Sequence, residues 1–381
     1  MTLMMSDLPE DLIEDILSRV PITSLGAVRS TCKRWNSLSK DRIVCRGETK
    51  HQFLGFMVQK SKVCSLRFDF NGIQNEDVEL AGPSIKPIDK FNELRIFEVN
   101  NCNGLRLPVR IYHVKHCNGL LLLVTKEINF RLLVWNPYLG QTGLVQPRIS
   151  FDFQDRYYLG YGNNRTHKIL RIFDNYEIYD FKSNLWKVLD ITPDVGYRNI
   201  CGCSLSVKGN TYFIRRETRG DWVRPRDVFL QCFDFTRERN GPRLPMPFQV
   251  SIYDAVTLSS IREEQLAVLL KNTYKMEIWV TTKIEPNAVS WSHFLKFIDF
   301  KLKISVLSFF IDQEKKLAVI FDLRVSKGSI DKTYIAHIIG EAGYLRTVDL
   351  GVVSPQFLPL PVCSYAPSLV QINQSQEISL I

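Results

Sequence analysis

The 381-residue sequence lacks the catalytic motifs that a sequence alone can reveal. It contains no Gly-x-Ser-x-Gly nucleophile elbow, no Gly-x-x-x-x-Gly-Lys-Ser/Thr phosphate loop and no His-Glu-x-x-His metal helix. Its six histidines are dispersed, and its carboxylates follow no spacing that indicates a general acid/base pair. We therefore predict that the chain is not an enzyme and carries no cofactor.

Metal-ligating residues come together at only two places, and neither place has the second ligand pair that structural zinc needs. The first holds His113, His116 and Cys117, and the second holds Cys201 and Cys203. We predict structural roles for these residues and no metal site.

Runs of basic or uninterrupted apolar residues are also missing. The net charge is +9, but no stretch holds five consecutive Lys or Arg, so we predict no nucleic-acid partner. The uncharged stretch from Leu350 to Gln376 contains four prolines, which would break a membrane-spanning helix. We expect no membrane association, and interpret the stretch as extended chain ending in a closing strand.

The nine cysteines are odd in number and have no disulfide-framework spacing, and no signal-peptide pattern opens the chain. Free thiols are typical of proteins in reducing compartments. We therefore expect the protein in the nucleus or the cytoplasm, or in both.

Helical periodicity is strongest in the first forty residues. Apolar residues recur on one helical face from Leu12 to Val20, with Pro9 in the first turn and Pro21 as a stop. A second short pattern runs from Leu25 to Trp35. A bundle this small has little interior, so its apolar faces are buried either by a partner protein or by the downstream domain. Periodicity leaves both readings open.

The stretch from Leu8 to Leu38, LPEDLIEDILSRVPITSLGAVRSTCKRWNSL, resembles an F-box in its Leu-Pro opening, its acidic helix ending in proline and its late Cys-Lys-Arg-Trp. The resemblance implies binding to a Skp-type adaptor, and through it to a cullin of a ubiquitin ligase. The adaptor-binding positions it implies are Leu8, Pro9, Leu12, Ile16, Leu17, Pro21, Leu25, Val28, Cys32 and Trp35. Some of these must form the bundle's own core, and sequence does not say which.

Short apolar or alternating runs separated by Asn, Gly, Asp and Pro fill the rest of the chain and predict strands. Examples are Phe53 to Val58, Gly119 to Thr125, Leu132 to Asn136, Leu205 to Ile214, Leu266 to Leu270, Ile278 to Thr282 and Leu317 to Phe321. Two CNGL tetrads, at Cys102 to Leu105 and Cys117 to Leu120, indicate tight turns, because Asn-Gly supplies positive φ.

A loose unit recurs within this region: a strand ending in an aromatic residue, usually with Asn or Asp, then a turn and a second apolar anchor. It occurs in LLVWNPYLGQTGLV, EIYDFKSNLWKVLD, LQCFDFTRERNGPRLPMP and MEIWVTTKIEPNAVSWSHF. A spacing of about 45 to 50 residues suits a four-stranded propeller blade. We therefore predict a small all-α module followed by an all-β propeller of about six blades, with the run from Val362 to Ile372 closing the ring. A pair of β-sandwiches is the rival fold.

The segments HCNGLLLL, LLVWNPYLGQT, EIYDFKSNLWKVLD, GCSLSVKGNTYFI and LQCFDF resemble, in order, the plant F-box associated interaction domain, a kelch-like propeller. Leu144 stands where family members usually carry tryptophan, and the loop from Asn163 to His167 is short. The domains expected are an F-box module at 1–45, the β domain at 50–372 and a polar tail at 373–381. The resemblance implies capture of a protein target for ubiquitination.

Weak candidates for target binding lie in RRETRGDWVRPRD, where Trp222, Arg224 and Arg226 are residue types enriched at binding hot spots. The alternative is a solvated loop with Trp222 folded back on a blade. For the whole chain, the alternative function is a propeller enzyme, or a protein that binds a small ligand or glycan, with the N-terminal helices as an accessory interaction module.

Overall fold

The structure, a computed structural model, describes residues 12–13, 28, 33–36, 52–59, 62–69, 84–87, 98–100, 106–108, 110–126, 132–148, 155–193, 196–217, 227–251, 253–298, 304–325, 332–353 and 361–372. Leu12, Ile13, Val28 and residues 33–36 have helical backbone, as the N-terminal periodicity predicts. The remaining predicted helical positions, the first CNGL tetrad and the polar tail lie outside the described residues.

Six four-stranded antiparallel sheets, the blades, make up most of the described chain. Blade 1 contains β1 (Gln52–Gln59), β2 (Lys62–Asp69), β3 (Ser84–Pro87) and, as its inner strand, the C-terminal β26 (Cys363–Ser364). A separate pair, β4 (Glu98–Asn100) and β5 (Arg106–Pro108), follows blade 1. Blade 2 contains β6 (Arg110–Cys117), β7 (Leu120–Lys126), β8 (Leu132–Asn136) and β9 (Gln141–Val145).

The other four blades follow in chain order from inner to outer strand. Blade 3 contains β10 (Arg156–Tyr161), β11 (His167–Ile172), β12 (Tyr176–Asp180) and β13 (Leu185–Leu189). Blade 4 contains β14 (Tyr197–Val207), β15 (Asn210–Glu217), β16 (Val228–Asp234) and β17 (Arg239–Leu244). Blade 5 contains β18 (Ala255–Ile261), β19 (Gln265–Lys271), β20 (Lys275–Glu285) and β21 (Ala288–Ile298). Blade 6 contains β22 (Val306–Asp312), β23 (Leu317–Val325), β24 (Lys332–Gly340) and β25 (Leu345–Val353), with a 3-10 turn at Glu341–Gly343.

A separate buried apolar cluster lies between each pair of neighbouring blades, and the six clusters complete a ring. Phe56 and Leu121 join blades 1 and 2, for example, while Phe68 and Phe321 join blade 1 to blade 6. The other four clusters join blades 2 and 3, 3 and 4, 4 and 5, and 5 and 6. This circular order confirms the six-bladed propeller, because a pair of sandwiches would have no contact that returns from the last sheet to the first.

The C-terminal segment closes the ring, as its apolar composition predicts. Cys363 and Ser364 pair with Phe56 and Gly55 of β1, and this pairing gives blade 1 its fourth strand. The strand is shorter than the predicted run. Beyond it the chain crosses to blade 2, where Asn136 Nδ2 donates to the carbonyl oxygens of Ser368 at 3.2 Å and Val370 at 2.7 Å.

The recurring sequence unit corresponds to the third and fourth strands of blades 2 to 5. In blades 2, 3 and 4 the side chain of Asn136, Asp180 or Asp234 accepts hydrogen bonds from the two backbone N–H groups that begin the turn. Four residues later the chain enters the left-handed region, with φ of 69° at Gly140, 56° at Asn184 and 51° at Glu238. The Asn or Asp therefore fixes the turn geometry.

One predicted strand was wrong in its extent. The run from Leu205 to Ile214 is not a single strand but the end of β14 and the beginning of β15, joined at Lys208 and Gly209. Both turn residues have positive φ, which a polar Lys-Gly pair in a tight hairpin supplies. The second CNGL tetrad is a hairpin turn of the same kind, with φ of 50° at Asn118 and 73° at Gly119, as predicted.

The strand order gives the propeller two distinct ends. The turns between first and second strands and between third and fourth strands lie at one end, here called the hairpin face. Turns from three blades meet there. The carboxylate of Glu263 accepts a hydrogen bond from the backbone N–H of Asn118 at 2.7 Å, and its backbone carbonyl accepts one from the N–H of Lys208 at 3.0 Å. The opposite end, the connection face, holds the turns between second and third strands and the connections between blades. No helix among the described residues is long and apolar enough to cross a membrane.

Candidate functional site

An open groove of about 590 Å³ lies on the connection face at blade 4. Its apolar lining comes from the third strand, the end of the fourth strand and the connection to blade 5, and includes Phe229, Leu244, Pro245, Met246, Phe248 and Val250. Glu217, Asp227 and Arg243 supply charge at its edge. The volume lies in the range of ligand pockets, but the groove is at the side of the ring, away from the propeller axis.

Arg243 is held in place at the edge of this groove by three neighbours. Its guanidinium carbon lies 4.3 Å from the ring centre of Tyr197 and 4.7 Å from that of Phe229. Nη1 donates to the Tyr197 hydroxyl at 3.0 Å and pairs with Asp227 Oδ2 at 3.3 Å. The Arg243 and Asp227 side chains remain about half exposed, so this preorganised cluster can still contact a partner.

Trp291 fixes the connection that forms one wall of the groove. Its indole N–H, on the outer strand of blade 5, donates to the carbonyl of Pro245 at 3.0 Å. Trp186 of blade 3 makes the equivalent bond to Gln146 at 2.8 Å, between blades 2 and 3. Trp186 and Trp291 are the second apolar anchors of their recurring units. Each joins the outer strand of its own blade to the connection that leads into that blade.

The predicted target-binding residues Trp222, Arg224 and Arg226 lie outside the described residues, but the ends of their segment are placed. The segment joins Glu217 at the end of β15 to Asp227, and the Glu217 N–H donates to the Asp227 carbonyl at 3.0 Å. Both end residues line the groove. Contact of Trp222, Arg224 and Arg226 with a target stays a prediction.

Exposed apolar side chains are concentrated on the connection face of blades 4 to 6. They occur in turns or at strand ends: Tyr253 is 87% exposed, Val325 57%, Tyr274 51%, Ile298 51% and Val352 45%. Neither this surface nor the groove is predictable from the sequence, because strand-end residues follow no periodicity. In the structure the five residues lie at the ends of strands or in the turns and connections beside them.

The propeller axis is bridged by side chains from inner strands of blades that are not neighbours in the ring. Lys115 Nζ donates to Ser204 Oγ at 2.6 Å, and the Ser260 and Ser364 hydroxyls lie 3.2 Å apart. The cavity near Lys115 has a volume of only about 10 Å³. Burial lowers the pKa of His113, which lines it, to about 3, with the charges of Lys115 and Arg156 as further causes. At this cavity the axis offers little room for a ligand.

The structure shows the surroundings of two of the metal candidates, His116 and Cys117. His116 pairs with Glu263 at 3.2 Å, and Cys117 is fully buried, so that desolvation, with a contribution from Glu263, raises the pKa of its thiol. Cys201 and Cys203 lie in β14. Among the residues that the structure describes, no three His, Cys, Asp or Glu side chains are grouped to hold a metal ion.

Three of the ten adaptor-binding positions fall on described residues. Leu12 is 46% exposed, Val28 is half-buried and Trp35 is buried at 7%. Ile13, which the prediction did not include, is fully buried. Leu12 is therefore available to a partner, whereas Trp35 packs mainly within the chain. Leu8, Pro9, Ile16, Leu17, Pro21, Leu25 and Cys32 lie outside the described residues, and the adaptor assignment stays a prediction.

Comparison with known proteins assigns both parts of the chain. Residues 5–46 match the F-box domain family, and residues 54–372 match the F-box associated beta propeller domain. An F-box relative from Arabidopsis thaliana is 57% identical over 390 residues, covering 100% of this chain and 92% of the relative. An F-box/kelch-repeat protein from the same plant is 48% identical over 400 residues, covering 97% of this chain and 96% of the relative. The chain therefore belongs to the F-box proteins with an F-box associated β-propeller domain.

Proposed function

We propose that this protein is the target-recognition subunit of an SCF-type ubiquitin ligase. The F-box binds a Skp-type adaptor and thereby a cullin, while the propeller holds a protein target. The observation that carries the proposal is the order of the two parts: an F-box followed by a closed propeller, five of whose exposed apolar side chains lie on one face.

The proposal requires no catalytic residue in this chain. Holding the target beside the ubiquitin-conjugating machinery raises its effective concentration there, and proximity alone accelerates transfer. The contacts that bridge the axis support this role, because propeller sites for small ligands need an open, polar cavity. The role is thus that of a non-catalytic receptor.

The connection face is the surface we assign to the target. It carries the groove and the five exposed apolar side chains, and exposed apolar patches mark interaction sites. The first propeller strand, β1, begins at Gln52 on the hairpin face, so the chain from the F-box enters at the opposite end. The surface is therefore not where that segment joins the propeller.

An adaptor-binding measurement on the full-length chain tests the proposal. Leu8→Ala combined with Pro9→Ala removes two apolar side chains from the predicted interface. Burying one leucine contributes about 1.5 to 3 kcal/mol, so we expect the affinity for a purified Skp-type adaptor to fall at least about tenfold.

Lys33→Ala is the matched control, because Lys33 is helical and exposed within the same module. We expect it to bind the adaptor like the wild type. Circular dichroism would establish that the propeller stays folded in all three proteins. The proposal fails if the wild type does not bind the adaptor, or if the double variant binds equally well.

A further inference from the structure

The outer strand of blade 3 combines a regular edge with two exposed aliphatic side chains. This strand, β13 (Leu185–Leu189), has the sequence LWKVL and contains no proline. Leu185 is 68% exposed and Val188 is 46% exposed. The five residue pairs that β13 forms with β12 follow one another without a register shift. An edge of this kind is a template on which another strand can pair.

The outer strands of the other five blades have features that hinder such pairing. β17, β21 and β25 pair with their neighbours through register shifts of the kind that a β-bulge produces, and β17 also contains Pro242. β3 ends in Pro87. β9 lies beside the C-terminal segment, whose Ile372 N–H donates to Gln141 Oε1 at 3.0 Å. Bulges, prolines and covering segments protect strand edges, so β13 is the open edge among these six outer strands.

The hydrogen-bond pattern of blade 3 shows which backbone groups of β13 point outward. The Phe181 N–H donates to the His167 carbonyl at 3.2 Å, so the odd-numbered residues of β12 bond to β11 and the even-numbered ones bond to β13. Those even-numbered residues are opposite Leu185, Lys187 and Leu189. The N–H and C=O groups of Trp186 and Val188 therefore point away from the blade. Within the described part of the chain, no hydrogen bond reaches these outward groups.

A second copy of the chain fits this edge poorly. Antiparallel pairing of two β13 strands that uses both outward residues must set Trp186 of each copy opposite Val188 of the other. Lys187 of one copy is then directly opposite Lys187 of the other, and like charges opposed across a strand pair are destabilising. The edge is therefore better suited to a different polypeptide, with a neutral or acidic residue opposite Lys187.

We infer that the β13 edge binds an extended polypeptide segment of another protein, which adds a fifth strand to blade 3. The outward N–H and C=O groups specify this class of partner, because an extended backbone presents donors and acceptors at the matching spacing. The edge lies at the rim of the propeller, so the inference goes beyond the target surface proposed on the connection face.

The two exposed aliphatic side chains specify the side chains of the segment. Val188 lies on the same side of β13 as Trp186, which packs toward blade 2. Leu185 lies on the other side with Lys187, whose Nζ is 3.1 Å from Glu238 Oε2 of blade 4. An added strand covers both aliphatic side chains only if it carries apolar residues on both of its faces. We therefore expect a segment rich in β-branched and aromatic residues.

Selection from a displayed random dodecapeptide library on the full-length chain supplies the probe. We expect the enriched peptides to be rich in β-branched and aromatic residues and to lack proline in their paired stretch. Val188→Pro removes one outward N–H and places a ring at the edge, at a position where an edge strand tolerates proline. This change should lower the affinity for the best peptide at least about tenfold. Val188→Thr keeps the N–H and a β-branched side chain, and should bind the peptide like the wild type.

Backbone methylation of the best peptide tests the same contact on the unchanged protein. Alternate residues of an added strand point their N–H groups toward β13 or away from it. Two versions of the peptide, N-methylated on one or the other alternate set of residues, should therefore differ. One version should bind like the parent peptide, and the other should lose at least about tenfold in affinity. An equal effect of the two sets would overturn the inference, because a peptide held by its side chains alone has no such alternation.

The remaining outcomes are also decisive. A folded Val188→Pro variant that binds the peptide like the wild type, or a library that yields no enriched peptide, would overturn the inference. So would self-association of the wild type that Val188→Pro abolishes and Val188→Thr keeps, because the occupant is then a second copy. If circular dichroism shows that Val188→Pro is misfolded, the two methylated peptides decide. A wild type that binds the peptide but no Skp-type adaptor refutes the proposed function alone.

Discussion

At the scale of single residues, a buried ion network joins blades 2 and 3. Arg171, with 2% of its side chain exposed, lies 2.7 Å from Asp155 Oδ1 and 3.2 Å from Glu177 Oε2. Both carboxylate side chains are fully buried, and Arg148 reaches Glu177 from the connection after blade 2. Buried charges are costly to desolvate, so the network depends on the guanidinium that lies between the two carboxylates.

We expect Arg171→Met to lower the free energy of unfolding by about 3 to 5 kcal/mol, because two buried carboxylates then lose their central cation. Arg237→Ala, which removes a 62% exposed arginine paired with Asp234, is the control and should cost less than about 1 kcal/mol. Urea denaturation followed by tryptophan fluorescence measures both. Equal costs for the two variants would contradict a structural role for the network.

Residues of this kind are the hardest to predict from sequence. Arg171 lies in HKILRI, where alternation alone cannot distinguish a solvent-facing arginine from one that faces a neighbouring blade. Its partners lie in other strands, and only the tertiary fold brings them together. The cysteines are easier to interpret, because their odd number and lack of framework spacing predict thiols, and Cys64, Cys117 and Cys232 are buried and form no disulfide bond.

At the scale of elements, Asn136 shapes its turn as Asp180 and Asp234 do in blades 3 and 4, and in addition it holds the C-terminal segment. Its Oδ1 accepts from Tyr138 N at 2.9 Å and Leu139 N at 3.1 Å, which shapes the turn. Its Nδ2 donates to two carbonyls of the C-terminal segment. The side chain is completely buried, so each of these bonds would be costly to leave unmade.

We expect Asn136→Ala to lower the free energy of unfolding by about 2 to 3 kcal/mol and to speed proteolysis of the C-terminal segment. Asp180→Ala is the matched control, since Asp180 shapes the same turn in blade 3 and otherwise makes only a 3.9 Å ion pair with Lys168, and it should cost about 1 kcal/mol. Denaturation and limited trypsin digestion distinguish them. If Asn136→Ala reduces stability and protease resistance no more than Asp180→Ala does, Asn136 does not hold the C-terminal segment in place.

The strands themselves were largely predictable, because turn residues punctuate them. The run from Leu132 to Asn136 coincides with β8, and the runs beginning at Leu266 and Leu317 lie within β19 and β23. The error at Leu205 to Ile214 arose because Lys208 and Gly209 interrupt an otherwise apolar sequence without a strong turn signal. Local residue type predicts hairpins best where Asn or Asp precedes the glycine.

At the scale of the whole molecule, the number of blades followed from the length of the β region divided by the repeat spacing. Ring closure followed from the apolar C-terminal run. Neither the groove nor the exposed apolar side chains of the connection face could be predicted, because the fold alone brings their residues together. Residues such as Ile298 and Val352 are far apart in sequence, and only the ring places them on one face.

Adaptor binding by the full-length protein tests the central claim, that the N-terminal module links the propeller to a ubiquitin ligase. Calorimetric titration with a purified Skp-type adaptor would compare the wild type, the Leu8→Ala, Pro9→Ala variant and the Lys33→Ala variant. The double variant should lose adaptor affinity at least about tenfold, and the other two proteins should bind the adaptor alike. A double variant that binds like the wild type, or a wild type that does not bind, would contradict the claim.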